Sequence, residues 1–192
     1  MILIFFGPPG AGKGTQAKFV SKALNIVHLS TGDILRDQLK KESKLSLELK
    51  QIMKSGQLVS DQIINQIVSE RITQQDCKKG FIFDGYPRTN SQAFFIDDYF
   101  VKNNLSFDHF FDFNIDDDSI IERITDRALV ESRSDDSQKT IRTRLAKYNQ
   151  ETRPVLDHYK KEYSSIYHII DAKQEIAKLN SLIIKIIEKI VI

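Results

Sequence analysis

Short apolar runs alternate along this chain with longer stretches in which apolar residues recur every three or four positions. The runs Ile2–Phe6, Ile26–Leu29, Phe81–Phe83, His109–Ile115 and Ser165–Ile170 predict five strands. The stretches between them predict helices over Lys13–Leu24, from Ser30 to about Lys41, and over Leu45–Lys54, Asp61–Gln74, Gln92–Lys102 and Ser119–Ala128. One long helix is predicted from a cap at Asp135 or Asp136 to about Tyr163. The apolar tail Leu182–Ile192 predicts a terminal helix with Lys185, Glu188 and Lys189 on one face. Strand and helix in alternation predict an α/β fold whose parallel, five-stranded sheet is flanked by helices. Parallel strands covered on both faces read as continuous apolar runs, as these do. In such sheets ligands bind beyond the carboxyl ends of the strands. Attention therefore falls on the residues from Gly7, Ser30, Asp84, Asp116 and Asp171 onward.

Composition narrows the picture without redirecting it. The chain has 192 residues, 41% hydrophobic and 28% charged, enough for one domain with a core that needs no staples. Twenty-eight basic against 26 acidic residues leave a net charge of +2, which gives no general attraction to nucleic acid. One cysteine, Cys77, excludes an internal disulfide and a Cys-based zinc site, and fits a reducing, cytoplasmic setting. No run reaches the roughly 18 apolar residues of a membrane span. Ile2–Phe6 is too short for a signal segment and lacks a basic stretch before it. The terminal helix carries few cations, so it is expected to pack on the core rather than on a membrane surface.

The first strand runs into Gly7-Pro8-Pro9-Gly10-Ala11-Gly12-Lys13-Gly14-Thr15, and a helix follows. That is the context of a phosphate-binding loop. Glycines let successive N–H groups point into one concavity, the helix start adds its positive dipole end, and Lys13 supplies a mobile cation. Gly14 stands where most such loops place a magnesium-gripping Ser or Thr, and Thr15 comes one residue later. A magnesium ion here is expected to be held by nucleotide oxygens and water, with Asp84 nearby. Asp84 ends the strand Phe81-Ile82-Phe83 and is placed to orient the ion or its water. Gly85-Tyr86-Pro87-Arg88-Thr89 follows, in which Arg88 offers a planar fork for phosphate.

The segments Gly7–Thr15, Ser30–Arg36, Gly56–Val59 and Asp84–Thr89, with Gln92, resemble the adenylate kinases, in order and in spacing, over nearly the whole chain. The resemblance implies a P-loop NTPase-like fold in a single nucleotide kinase domain, 1–192. Its core would comprise 1–29, 60–126 and 137–192, with a helical NMP-binding insertion at 30–59 and a short lid at about 127–136. It implies reversible, magnesium-dependent phosphoryl transfer from ATP to AMP, giving two ADP, by a monomer with no zinc and no nucleic-acid or membrane partner. ATP would be bound by Gly10, Ala11, Gly12, Lys13, Gly14, Thr15, Arg123, Arg127 and Gln174. AMP would be bound by Thr31, Arg36, Gln57, Leu58, Val59, Gly85, Tyr86, Pro87, Arg88, Gln92, Arg133 and Arg144. The catalytic set would be Lys13, Asp84, Arg88, Arg123, Arg133 and Arg144. Gln92 would read the adenine edge. Thr31, and Thr89 after Arg88, favour AMP over the pyrimidine acceptors, whose kinases usually resemble Ser-Ala-Gly-Asp at the first position and carry Asn at the second.

Arg123 and Arg127 are four residues apart and share a predicted helical face; Arg142 and Arg144 are two apart and cannot. Only five residues separate Arg127 from Arg133, which leaves no room for a long, zinc-bearing lid. Asp135 and Asp136 fit paired acids that tie lid arginines, and equally fit a helix cap. Glu131-Ser132-Arg133 replaces the Ser-Gly-Arg common in short lids, and Ala172 stands where a glycine is usual, which requires a negative φ. The four histidines are scattered and lack metal-ligand spacing. A UMP/CMP kinase of the same superfamily and a non-catalytic nucleotide sensor are the alternative readings.

Overall fold

Ile2–Phe6 forms strand β1, and all five of its side chains are buried. In this computed structural model the described residues are 1–39, 49, 51–52, 55, 57–116, 118–124 and 138–189. Strands β2 (Val27–Ser30), β3 (Phe81–Asp84), β4 (His109–Asn114) and β5 (Tyr167–Asp171) join β1 in a five-stranded sheet of order β2-β3-β1-β4-β5. Every neighbouring pair is parallel. The register places Ser30 opposite Asp84 and Asp84 opposite Phe5, so the carboxyl ends of β2, β3 and β1 finish together.

Helices are α1 (Lys13–Leu24), α2 (Thr31–Leu39), α3 (Asp61–Ile72), α4 (Asn90–Lys102), α5 (Gln138–Lys147), α6 (Arg153–Glu162) and α7 (Ile176–Glu188), with residues 118–124 also helical. Side chains alternate across β1. Ile2, Ile4 and Phe6 enter one core layer with Ile64 and Val68 of α3, Ile96 and Phe100 of α4, and Tyr159 of α6. Leu3 and Phe5 enter the other, with Ala17 and Val20 of α1 and Leu179, Ile183 and Ile187 of α7. The apolar face of the terminal helix is therefore consumed by the core. Among the described residues no helix is long and apolar enough to cross a membrane.

Several boundaries depart from expectation for local reasons. The long helix expected to reach Tyr163 is interrupted by a π turn at Tyr148–Thr152 before α6 resumes. Pro154 lies in the first turn of α6; it has no N–H, and its ring crowds the carbonyl four residues earlier, so the wider turn accommodates it. The cap expected at Asp135 or Asp136 lies outside the described residues. Helix α4 starts two residues early because Thr89 is its N-cap, accepting from the Gln92 N–H at 3.1 Å. Helix α3 ends at Ile72, and a 3₁₀ turn over Gln75–Lys79 buries Cys77. Another 3₁₀ turn at Ser164–Ile166 delays β5 to Tyr167. The helix expected over Leu45–Lys54 and the end of the one expected to about Lys41 fall largely outside the described residues.

Candidate active site

The segment after β1 curls because Gly10 and Gly12 take left-handed φ of 84° and 88°, with the Ala11 N–H donating to the Pro8 carbonyl at 3.2 Å. Helix α1 begins at Lys13, so its N-terminal amides open on this loop. The Lys13 ammonium donates to the carbonyls of Gly7 (2.7 Å) and Pro8 (2.8 Å). These are short bonds from a long, flexible stem. They hold the charge at the mouth of the loop, and a phosphate can displace them.

Asp84 sits next to this loop. The His28 ring on β2 donates from Nε2 to Asp84 Oδ2 at 3.0 Å. Burial works against the carboxylate charge, but the His28 hydrogen bond and the positive charges of Lys13 and Arg88 outweigh it and hold the acid below its usual range. Arg88 shows the converse. Burial lowers its guanidinium pKa, and the like charges of Arg144 and Arg36 lower it further against the attraction of Asp84. Three guanidiniums thus converge near one carboxylate, an arrangement suited to a dense anionic group.

The far end of the cleft is a hydrogen-bonded net. The Thr31 hydroxyl, buried at the start of α2, donates to the Gly85 carbonyl at 2.8 Å, and Arg88 Nε donates to the same oxygen at 2.7 Å. Gln92 accepts from the Arg88 N–H at 2.7 Å and donates from Nε2 to Asp61 Oδ1 at 2.7 Å. The Thr89 hydroxyl donates to Asp61 Oδ2 at 2.9 Å. The Thr152 hydroxyl, from the π turn, donates to the Arg88 carbonyl at 3.0 Å. Arg36 is paired with Asp33 on α2.

These pieces line one cleft of about 740 Å3. Of the residues singled out from the sequence, it brings together Gly10–Thr15, Thr31, Arg36, Gln57, Leu58, Val59, Asp84, Gly85, Pro87, Arg88, Gln92, Arg123, Arg144 and Gln174. Among the described residues expected to bind nucleotide, Tyr86 is the exception. Its ring is 1% exposed, packs on Phe83, and sends its hydroxyl to Asn65 Oδ1 at 2.8 Å, so it props the Gly85–Arg88 turn from behind. Arg127 and Arg133 lie outside the described residues. Ala172 keeps a negative φ, as the loop after β5 requires, and its N–H donates to the Asn114 carbonyl at 2.9 Å.

The donor chemistry suits the magnesium ion the sequence implies. Hard divalent cations prefer oxygen, and the cleft offers the Asp84 carboxylate and the Thr15 hydroxyl. A Cβ at Gly14 would stand 3.3 Å from Asp84 Oδ2. Glycine there keeps the approach to that carboxylate open, at the position where related loops carry a hydroxyl.

Comparison with known proteins agrees with this geometry. The family model described as adenylate kinase matches residues 5–164. The chain belongs to the adenylate kinase family. It is 36% identical to the adenylate kinase of Acholeplasma laidlawii, covering 97% of this chain and 98% of that one. It is 42% identical to that of Leptospira biflexa (82% and 85% covered) and 44% identical to that of Sinorhizobium medicae (83% and 86%). The Acholeplasma alignment runs over 214 positions against 192 residues here, so that relative carries inserted residues this chain lacks.

Within this adenylate kinase framework, sequence reasoning passed over His28, Asp61 and Thr152. Each is an ordinary residue type, in a strand, at a helix start and in the π turn respectively. Their partners lie 56, 31 and 64 residues away, at Asp84, Gln92 and Arg88 respectively. Only the Asp61-to-Gln92 pairing left a trace, since both residues flank motifs that the sequence had marked.

Proposed function

We propose that this chain transfers the γ-phosphoryl group of ATP reversibly to AMP, giving two ADP. The observation that carries the reading is the convergence of Lys13, Asp84, Arg36, Arg88 and Arg144 on one cleft beside a glycine-rich loop and a helix start. Such a site has no need of a protein nucleophile. Phosphoryl transfer asks chiefly for alignment and for cancellation of charge on the moving group.

In this reading the amides of Gly10–Thr15 bind the ATP phosphates. Lys13 leaves the Gly7 and Pro8 carbonyls to follow the transferring group. Arg36 and Arg88 hold the AMP phosphate, and an oxygen of that phosphate attacks the γ-phosphorus directly. The new P–O bond forms as the bond from the γ-phosphorus to the bridging oxygen of the departing ADP breaks. Arg123 and Arg144, with Arg127 and Arg133 from the lid at about 127–136, spread the equatorial charge. A magnesium ion would be held by nucleotide oxygens and water with Asp84 nearby, and would supply positive charge against the donor phosphates. Thr31, the Gln57–Val59 backbone and Gln92 receive the AMP base, and Gln174 lies at the ATP base. Closure of 30–59 over AMP and of the lid over ATP keeps water from accepting the phosphoryl group. The reading is of a monomer that acts on small nucleotides in the cytoplasm.

The test is an ADP-coupled assay with ATP, magnesium and three acceptors. AMP is expected to be preferred over CMP and UMP by at least about tenfold in kcat/KM, because a site built to hydrogen-bond one base leaves buried groups unpaired against another. Equal rates with all three acceptors would overturn the reading.

A further inference from the structure

We propose that Asp61 is a positioning residue that fixes the polarity of the Gln92 side-chain amide and thereby selects a 6-aminopurine acceptor over a 6-oxopurine. The inference rests on the reading that Gln92 faces the acceptor base. It adds the reason that the amide faces it one way round.

A primary amide can turn over and exchange its donor and acceptor ends at almost no cost in shape. At Gln92 two groups forbid this. The Arg88 backbone N–H can only donate, and it lies 2.7 Å from Oε1. The Asp61 carboxylate accepts, and Oδ1 lies 2.7 Å from Nε2. Turning the amide over would set two donors against each other at Arg88 and two acceptors at Asp61. Gln92 is 2% exposed, so water would not relieve either clash.

Asp61 is itself held. Its other oxygen accepts from the Thr89 hydroxyl at 2.9 Å, and that hydroxyl accepts from the Gln92 N–H at 3.1 Å. The first residue of α3 is thus clamped to the first turn of α4. Rotating the carboxylate away would break two bonds and loosen a helix cap.

These partners use one N–H and one lone pair of the Gln92 amide. One donor and one acceptor of fixed polarity remain for the cleft. An adenine edge presents a 6-amino donor beside a ring-nitrogen acceptor, which this polarity matches. Hypoxanthine and guanine present a 6-oxo acceptor beside an N1–H donor, which opposes it at both atoms. A matched amide–adenine pair is worth a discrimination of about 5- to 150-fold.

The decisive variant is Asp61→Asn. The Thr89 hydroxyl would still donate to its carbonyl oxygen, which turns the new amide NH2 toward Gln92 and removes the demand for Nε2 there. We measure kcat and KM for AMP and for IMP, the 6-oxo analogue, in wild type and variant. The kcat/KM ratio of AMP to IMP is expected to fall at least about fivefold, through KM, with KM for ATP unchanged. A ratio of rates is insensitive to the fraction of protein folded, so a merely structural Asp61 would lower both rates and leave the ratio alone. That result overturns the proposal. A Gln92→Leu variant that loses selectivity while Asp61→Asn keeps it also overturns it.

Titration calorimetry on the wild type supplies a second test, independent of any variant. The expected order of affinity is AMP, then purine riboside 5′-monophosphate, which keeps the ring acceptor but has no 6-substituent, then IMP. IMP binding as tightly as AMP would overturn the proposal. A wild type that makes no ADP from ATP and AMP defeats the functional reading instead. AMP turnover with an unmoved ratio defeats only the role of Asp61.

Discussion

The two ends of the cleft hold their polar groups by different means. At the phosphate end, shape comes from backbone. Gly10 and Gly12 turn the chain left-handed, α1 opens on the loop, and Lys13 rests on two carbonyls it can leave. At the acceptor end, shape comes from side chains with several partners each. Asp61 takes Thr89 and Gln92, Gln92 also takes Arg88, and Asn65 takes Tyr86. The difference follows from what each end must recognise. Phosphates are alike in every nucleotide, so a concavity of N–H groups and a mobile cation suffice. A base is known only by the order of its donors and acceptors, so the groups that read it must not rotate.

This contrast can be broken or sharpened by substitution. The largest expected effect is at Lys13. Lys13→Met removes the mobile charge, so turnover should fall by at least about two orders of magnitude while thermal unfolding shifts by only a few degrees. An ADP-coupled assay and a melting curve check the pair of outcomes. A mutant that keeps most of its activity would remove Lys13 from the chemistry.

Next come the two loop glycines, which separate backbone strain from crowding. Gly12→Ala meets no atom within 4 Å, and the left-handed φ alone should cost about 1–2 kcal/mol. Gly10→Ala carries the same strain and drives its Cβ to 2.7 Å from Ile124 Cγ1, which should add about 1 kcal/mol or more. Urea midpoints of the two variants, measured side by side, give the difference. Equal midpoints would mean that the helical residues 118–124 do not press on the loop.

The smallest effect belongs to the acceptor end. Tyr86→Phe deletes a hydroxyl that never reaches the cleft and leaves the Asn65 carbonyl without its donor. Stability should drop by about 1 kcal/mol with kcat nearly unchanged. A collapse in kcat without a loss of stability would place Tyr86 in the cleft after all.

The phosphate end was legible in the sequence because its determinants are contiguous. Glycines, Lys13 and the following helix fall within Gly7–Thr15, and the apolar run before them could only be a buried strand. The acceptor end was half legible. Thr31, Arg88 and Gln92 lie in recognisable motifs, but Asp61 looked like any acid in the first turn of a helix. His28 looked idle for the same reason. The four histidines are scattered along the chain, yet His28 meets Asp84, His158 meets Asp97, and His109 Nδ1 lies 3.0 Å from His168 Nε2. Strand register and helix packing make these meetings, and neither is written locally. The π turn was signalled by Pro154 but read as a continuous helix, because the apolar spacing on either side of it stays in phase.

The strand order has a consequence for how the molecule is made. Strand β1 leaves the ribosome well before both of its neighbours, β3 from Phe81 and β4 from His109. At about 5–20 residues per second, the run Ile2–Phe6 waits roughly 4–15 s for the first of them. Throughout that interval a wholly apolar segment has no partner edge, and the loop that follows it has no floor. Nascent chains stalled before residue 81 should therefore be sticky and unable to grip a triphosphate, and synthesis speed between Phe6 and Phe81 becomes a determinant of yield.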